Sequence, residues 1–283
     1  YAAQKKLGCI IDPEKPMRLP KKNDLIKIDN VSHTFNTSSG RVQVLDNLTL
    51  TVPEHGFSAI VGPSGCGKST VTKLVAGLLK ADNGHVWLQG QKVTSPRPIV
   101  GMAFQNPVLL EWRSILKNVM LPLEIVPNNL NISEQEARAR SLLKLVGLAG
   151  FEEKRPSELS GGMRQRASLC RALVHRPEVL ILDEPFAALD AFTREDLWQT
   201  MHRLRSEEPF TGLLITHDLR EAIFLADEIF VLSGRPATLQ YTEVLSQRRQ
   251  KSLDYLYTPE ANQMLNTLRE QIKIARNNES PTR

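Results

Sequence analysis

The sequence is poor in the features that mark several large classes of protein. Three cysteines in 283 residues, Cys9, Cys66 and Cys170, are too few and too scattered for a disulfide framework or a zinc site. Reduced thiols in a cytosolic protein are the expectation. No apolar run approaches the ~18 residues of a membrane-spanning helix, and no stretch has the form of a signal-peptide h-region. Work at a membrane is therefore expected from the side, through a partner. The net charge is only +5, with Lys and Arg spread along the chain, so no nucleic-acid partner is expected. Internal repeats and low-complexity tracts are missing too. What is there is an ordinary core, with 41% hydrophobic and 24% charged residues, in a length that suits one large domain with a small appendage.

Residues 1–23 form a basic, proline-containing extension, with Lys5, Lys6, Lys15, Arg18, Lys21 and Lys22 against Asp12 and Glu14. It reads either as a solvated tail or as an arm for lipid or a partner. From Leu25 the pattern changes. Leu25–Ile28, Val42–Val52, Phe57–Val61 and His85–Leu88 read as strands, with Ala81–Gly84 a turn and Gln89-Gly90 another. Val179–Leu182, Leu213–Thr216 and Ile229–Leu232 are continuous apolar runs of the kind that strands buried on both faces show. Helical spacing covers Ser69–Leu79, 133–146, 161–174 and Leu219–Ala226, with Ser133 and Glu136 in a capping-box relation. Alternating strands and helices predict an α/β fold with a mainly parallel sheet. Beyond the main domain, at 243–283, Ala261, Leu265, Leu268, Ile272 and Ala275 recur at helical spacing. That stripe either docks on the body or meets another subunit.

Two segments carry chemistry. Gly62-Pro63-Ser64-Gly65-Cys66-Gly67-Lys68-Ser69 satisfies G-x-x-x-x-G-K-[ST] between a strand and a helix, the phosphate-cradling context of P-loop NTPases. Its glycines let the backbone curl so that N–H groups face phosphate oxygens, and the helix adds its positive end. Lys68 is expected to reach the β- and γ-phosphates and Ser69 to offer its hydroxyl to Mg²⁺. Cys66 occupies a variable loop position. In Val179-Leu180-Ile181-Leu182-Asp183-Glu184, an apolar strand delivers Asp183 to a metal, and Glu184 can orient the water that attacks the γ-phosphate. Together they imply an ATPase or GTPase.

Leu159-Ser160-Gly161-Gly162-Met163-Arg164-Gln165-Arg166 narrows the field, because here the chain resembles the ATP-binding cassette (ABC) family. Over roughly 24–242 the resemblance implies a cassette with a mainly parallel core sheet, an antiparallel β subdomain and a helical signature subdomain at about 106–172. It implies that Ser160, Gly161 and Gly162 face the γ-phosphate of ATP held by a second subunit, with Mg²⁺ as cofactor. Four further matches come with it. Gln105 corresponds to the glutamine that contacts metal and water, Asp190 to the aspartate that couples two sites, and His217 to the histidine that bonds the γ-phosphate. Phe35 corresponds to the aromatic that stacks on adenine, with a place in the core as its other reading. Thr70, following the loop, joins the nucleotide-binding set.

Phe104–Glu124 and Val231-Leu232-Ser233-Gly234-Arg235-Pro236 resemble the nitrate/sulfonate/taurine importer branch. Leu109, Leu110, Trp112 and Met120 either line a groove for a membrane subunit or belong to the helical subdomain's core. The expected protein is a peripheral motor at the cytoplasmic face of the inner membrane, coupling ATP hydrolysis to uptake of a small anion or related solute of the nitrate, sulfonate, taurine, bicarbonate or pyrimidine-precursor type. Its expected partners are permease subunits, a second ATPase subunit and, indirectly, an external substrate-binding protein. A lipid transporter or exporter ATPase, or a soluble cassette uncoupled from transport, is the alternative.

Overall fold

The computed structural model describes residues 24–38, 40–245 and 252–277. The basic extension at 1–23 lies outside them, as do 246–251 and 278–283. Two sheets organise the chain. Strands β1 (Asp24–Thr37), β2 (Gly40–Pro53), β4 (Asn83–Leu88) and β5 (Gln91–Lys92) form an antiparallel sheet in the order β2-β1-β4-β5. The second sheet runs β10-β9-β3-β8-β7-β6, from β3 (Phe57–Val61), β6 (Val100–Ala103), β7 (Val179–Asp183), β8 (Thr211–Ile215), β9 (Glu228–Leu232) and β10 (Leu239–Val244). Its strands are parallel except β10 at the edge.

β3, β7 and β8 are buried at every position, which is why apolar residues dominate both of their faces. Their side chains still alternate between faces. Ala59, Val61, Leu180, Leu182 and Leu214 enter one hydrophobic cluster with the helices α2 (Ile115–Ile125), α3 (Ile132–Leu145), α4 (Gly161–Leu173), α5 (Ala191–Glu207) and α6 (Leu219–Leu225). Ile60, Ile181, Leu213 and Ile215 enter the other, with the antiparallel sheet and α1 (Lys68–Val75). The six-stranded sheet is thus covered on both faces.

Two local expectations need correction, and a third, left open between two readings, is resolved. The first helix stops at Val75, short of Leu79, because Gly77 turns into the left-handed region at φ +74° and Leu78 N–H bonds back to the Lys73 carbonyl. The capping box of α3 belongs to Asn131 and Glu134, not Ser133 and Glu136. Asn131 Oδ1 accepts from Glu134 N–H at 3.0 Å, and Glu134 Oε2 accepts from Asn131 N–H at 2.8 Å. Of the groove candidates, Leu109 is buried and Met120 packs on the core, whereas Trp112 is 74% exposed.

The carboxyl-terminal stripe docks on the body. Ala261, Leu265, Leu268 and Ala275 of α7 (Pro259–Asn277) are buried, and Ile272 packs on the same cluster. α7 lies against β9, β10 and α6.

Candidate active site

The carboxyl ends of β6, β7, β8 and β3, four adjacent parallel strands, open onto one cleft of 790 Å³. From β3 comes the glycine loop. Gly67 has φ +119°, and a Cβ there would stand 2.6 Å from Val44 Cγ1, so only glycine fits where the loop meets β2. α1 then begins at Lys68, which places the positive end of a helix beside the cleft. Lys68 is buried, and its ammonium donates to the carbonyls of Gly62 at 3.0 Å and Pro63 at 2.9 Å. Ser64, Gly65, Ser69 and Thr70 also line the cleft. Cys66 is buried, which pushes its thiol up from the ordinary range and keeps it protonated.

β7 supplies the acids. Asp183 is 4% exposed and accepts a hydrogen bond from Ser69 Oγ at 3.0 Å. Burial raises its carboxyl above the usual range, and the bond from Ser69 opposes that rise. Glu184 leaves the strand with φ +48°, unusual for a residue with a side chain and costing on the order of 1 kcal/mol. Its N–H donates to the Ile215 carbonyl at 2.9 Å. The turn aims the carboxylate at its neighbours: Glu184 Oε2 accepts from Gln105 Nε2 at 3.1 Å and lies 3.4 Å from His217 Nδ1. Gln105 follows β6 and His217 follows β8, the two strands flanking β7. The loop after Gln105 is held by the buried Asn118. Its amide donates to the carbonyls of Leu110, Arg113 and Ser114 and accepts from Leu110 N–H.

The antiparallel sheet makes the far wall. Phe35 is 37% exposed there beside Val42 and Val44, with His33 edge-on at 4.7 Å, so it is not a core residue. Ser160, Gly161, Gly162 and Asp190 are not brought to this cleft. Ser160 caps α4, accepting from Met163 N–H at 3.2 Å. Asp190 caps α5, accepting from Thr193 N–H at 3.0 Å, and this bonding holds its carboxyl below the usual range. Gly162 packs against Leu189. These residues make a second patch, tied to the Gln105 loop by Gln165 Nε2, which donates to the Phe104 carbonyl at 3.1 Å.

Two residues near the cleft escaped the sequence reading. Arg235 lines it and bonds to the loop at Gly65. Its one mark in the sequence is its place in the string Val231–Pro236. Glu221 of α6 is buried and accepts from Thr216 Oγ1, just past the end of β8, at 2.7 Å. A single acid in a short helical stretch gives no sign of burial in the sequence.

A glycine loop opening a helix, faced by an acid pair at the end of another strand of the same parallel sheet, defines a nucleoside-triphosphate hydrolase of the strand–loop–helix class. Comparison with known proteins narrows this further. The profile of the ABC transporter family matches residues 45–187. The bicarbonate transport ATP-binding protein CmpD of Synechocystis sp. is 42% identical over 216 residues, 76% of this chain and 77% of that protein. The nitrate import ATP-binding protein NrtD of Synechococcus elongatus is 43% identical over 212 residues, 75% of this chain and 77% of that one. Among solved structures, a dimeric post-hydrolysis state of the ATP-binding cassette MJ0796 bound to ADP and Pi superposes with TM-score 0.72 at 30% identity. The match covers 78% of this chain and 99% of that one. The chain belongs to the ABC transporter family and is an ABC-type ATPase.

Proposed function

We propose that the chain is the ATP-hydrolysing subunit of an importer for a small anion of the nitrate, bicarbonate, sulfonate or taurine type, working through separate permease subunits. One observation carries the chemistry: the Glu184 carboxylate accepts from Gln105 and lies beside His217 in the cleft that the Lys68 loop borders. Relatives named as nitrate and bicarbonate import subunits support the cargo class. Among the described residues no helix is long and apolar enough to cross a membrane, which fits a peripheral subunit.

In this reading ATP lies with its base against Phe35 and its phosphates along Gly62–Thr70. Lys68 exchanges its loop carbonyls for the β- and γ-phosphates. Glu184 takes the proton of the attacking water, Gln105 orients that carboxylate, and His217 bonds the γ-phosphate. The residues fit Mg²⁺. A hydroxyl and a carboxylate already 3.0 Å apart, Ser69 and Asp183, with the Gln105 amide nearby, are the hard oxygen donors this ion prefers. When bound, it would neutralise phosphate charge. Among the described residues no cluster of three or more His, Cys, Asp or Glu competes for a softer metal.

The exposed Ser160–Gly162 helix tip and Asp190, away from their own chain's cleft, suit contact with ATP on a second subunit. The cassette at 24–242, with its helical subdomain at about 106–172 and the extension at 243–283, is the corresponding domain plan. Reconstituting the chain with its permease subunits in vesicles and measuring ATP-dependent nitrate, bicarbonate and taurine uptake tests the reading. ATP hydrolysis without uptake of any such anion would refute the cargo class.

A further inference from the structure

Between β9 and β10 the chain makes a short strap, residues 233–238, that is fastened at three places. Ala237 N–H donates to the Val44 carbonyl at 2.8 Å, and its own carbonyl accepts from Asp46 N–H at 3.0 Å, pinning the strap to β2. Gly234 N–H donates at 3.0 Å to the carbonyl of Ala275 in the last turn of α7. Ser233 Oγ accepts from Thr238 N–H at 2.9 Å, closing the strap on itself. From this fixed base Arg235 reaches the glycine loop. Its Nε and Nη2 both donate to the Gly65 carbonyl, at 3.2 and 2.6 Å. Among the described residues no carboxylate forms an ion pair with it.

The position of that bond matters. Gly65 has φ +74° and no side chain, so it is a soft point in the loop. A peptide unit is planar, with its carbonyl and the following N–H opposed. Holding the Gly65 carbonyl therefore sets the rotation of the Gly65–Cys66 peptide. Across it Cys66 N–H points to the Pro63 carbonyl at 3.4 Å, which closes the loop's first turn. A guanidinium can place two N–H groups on one oxygen, which an ammonium cannot reproduce.

We propose that Arg235 is a positioning residue for the phosphate-binding loop: by fixing the Gly65–Cys66 peptide from a strap anchored on β2 and α7, it sets the affinity of the cleft for a triphosphate. This rests on the nucleotide reading given above. The test is titration of a fluorescent ATP analogue into the full-length chain, for wild type, Arg235→Ala, Arg235→Lys and Lys68→Ala, with nucleotide-free melting as the check on folding. ATPase kinetics of the complex with permease subunits accompany it. Arg235→Ala raises Kd and KM about three- to tenfold, the range for losing a partly exposed charge-assisted hydrogen bond. Its kcat stays within about twofold, and Arg235→Lys, which folds like wild type, recovers less than half of the lost affinity. Wild-type affinity in Arg235→Ala overturns the proposal. So does full rescue by lysine, which would reduce Arg235 to a bare charge, and so does a fall in kcat with KM unchanged. Should Arg235→Ala melt early, Arg235→Lys decides, and unchanged affinity there overturns the positioning role. If wild-type protein binds no ATP analogue at all, the nucleotide reading itself fails, and the assignment of Arg235 with it.

Discussion

Glu221 gives the sharpest quantitative test of the structure. It sits in α6, 4% exposed, with Oε2 accepting from Thr216 Oγ1 and Oε1 lacking a partner among the described residues. Burial pushes its carboxyl from the ordinary 4.5 up to about 8, with the nearby Asp218 and Glu184 charges adding to the rise and Thr216 and Arg194 opposing it. Below pH ~4.5 the group is protonated in folded and unfolded chains alike, and its contribution to stability is fully present. Between pH ~4.5 and ~8 the folded chain holds a proton that the unfolded one has released, so stability falls with rising pH by up to ~1.4 kcal/mol per unit. From pH 5 to 8 the sum is at most about 3–4 kcal/mol, and relaxation of the site reduces it to about 1.5–3 kcal/mol. Glu221→Gln has nearly the same shape and cannot ionise. Urea unfolding of both proteins at pH 5, 6, 7 and 8 should therefore show the variant gaining on wild type by that amount across the series. Other titrating groups cancel in the difference. A wild-type-minus-variant difference that stays flat from pH 5 to 8 would refute the reasoning.

Three further outcomes follow from the site and its scaffold. Glu184→Gln should lower ATP turnover in the assembled complex by about 10²–10⁴-fold while ATP affinity stays within a few-fold; unchanged turnover removes Glu184 from its role. Lys68→Ala should weaken ATP binding in the full chain by about tenfold or more, as expected for losing an ammonium from a phosphate site. Calorimetric titration measures it, and wild-type affinity would separate Lys68 from the phosphates. Asn131→Ala should cost about 1 kcal/mol by opening the capping box of α3, lowering the melting temperature by about 2–4 °C. Ser133→Ala should leave it unchanged, and the reverse order would contradict the cap seen here.

Much of the cassette was legible in the sequence because burial on both faces leaves a plain mark. Phe57–Val61, apolar except for Ser58, and Val179–Leu182 are short runs of this kind, and each ends in residues whose chemistry is local to the chain. Where an element is short or its apolar residues are diluted, the mark fades. β6 is four residues, Val100–Ala103, and includes Gly101, so it made no recognisable strand. α5 buries Leu197, Trp198, Met201 and Leu204 among many polar neighbours, which dilutes its helical period in the sequence. Asn131 and Ser133 both fit the cap pattern in the sequence, two residues apart, and only the backbone of α3 distinguishes them. Arg235 was out of reach for a different reason: its partner, Gly65, is 170 residues away, and only the strand order β9-β3 brings them together.

The cleft has one wall from each sheet. Phe35 and Val44 stand on the antiparallel sheet, while Lys68 and Glu184 hang from the parallel one. A ligand seated there grips both like a cotter pin through two plates, and the plates are otherwise joined mainly by the apolar layer they share. Occupancy then stiffens a joint far larger than the ligand's own footprint, by RT ln(1 + [L]/Kd). Amides deep in β2 and in α1, well beyond reach of any phosphate, should exchange more slowly once the pin is in.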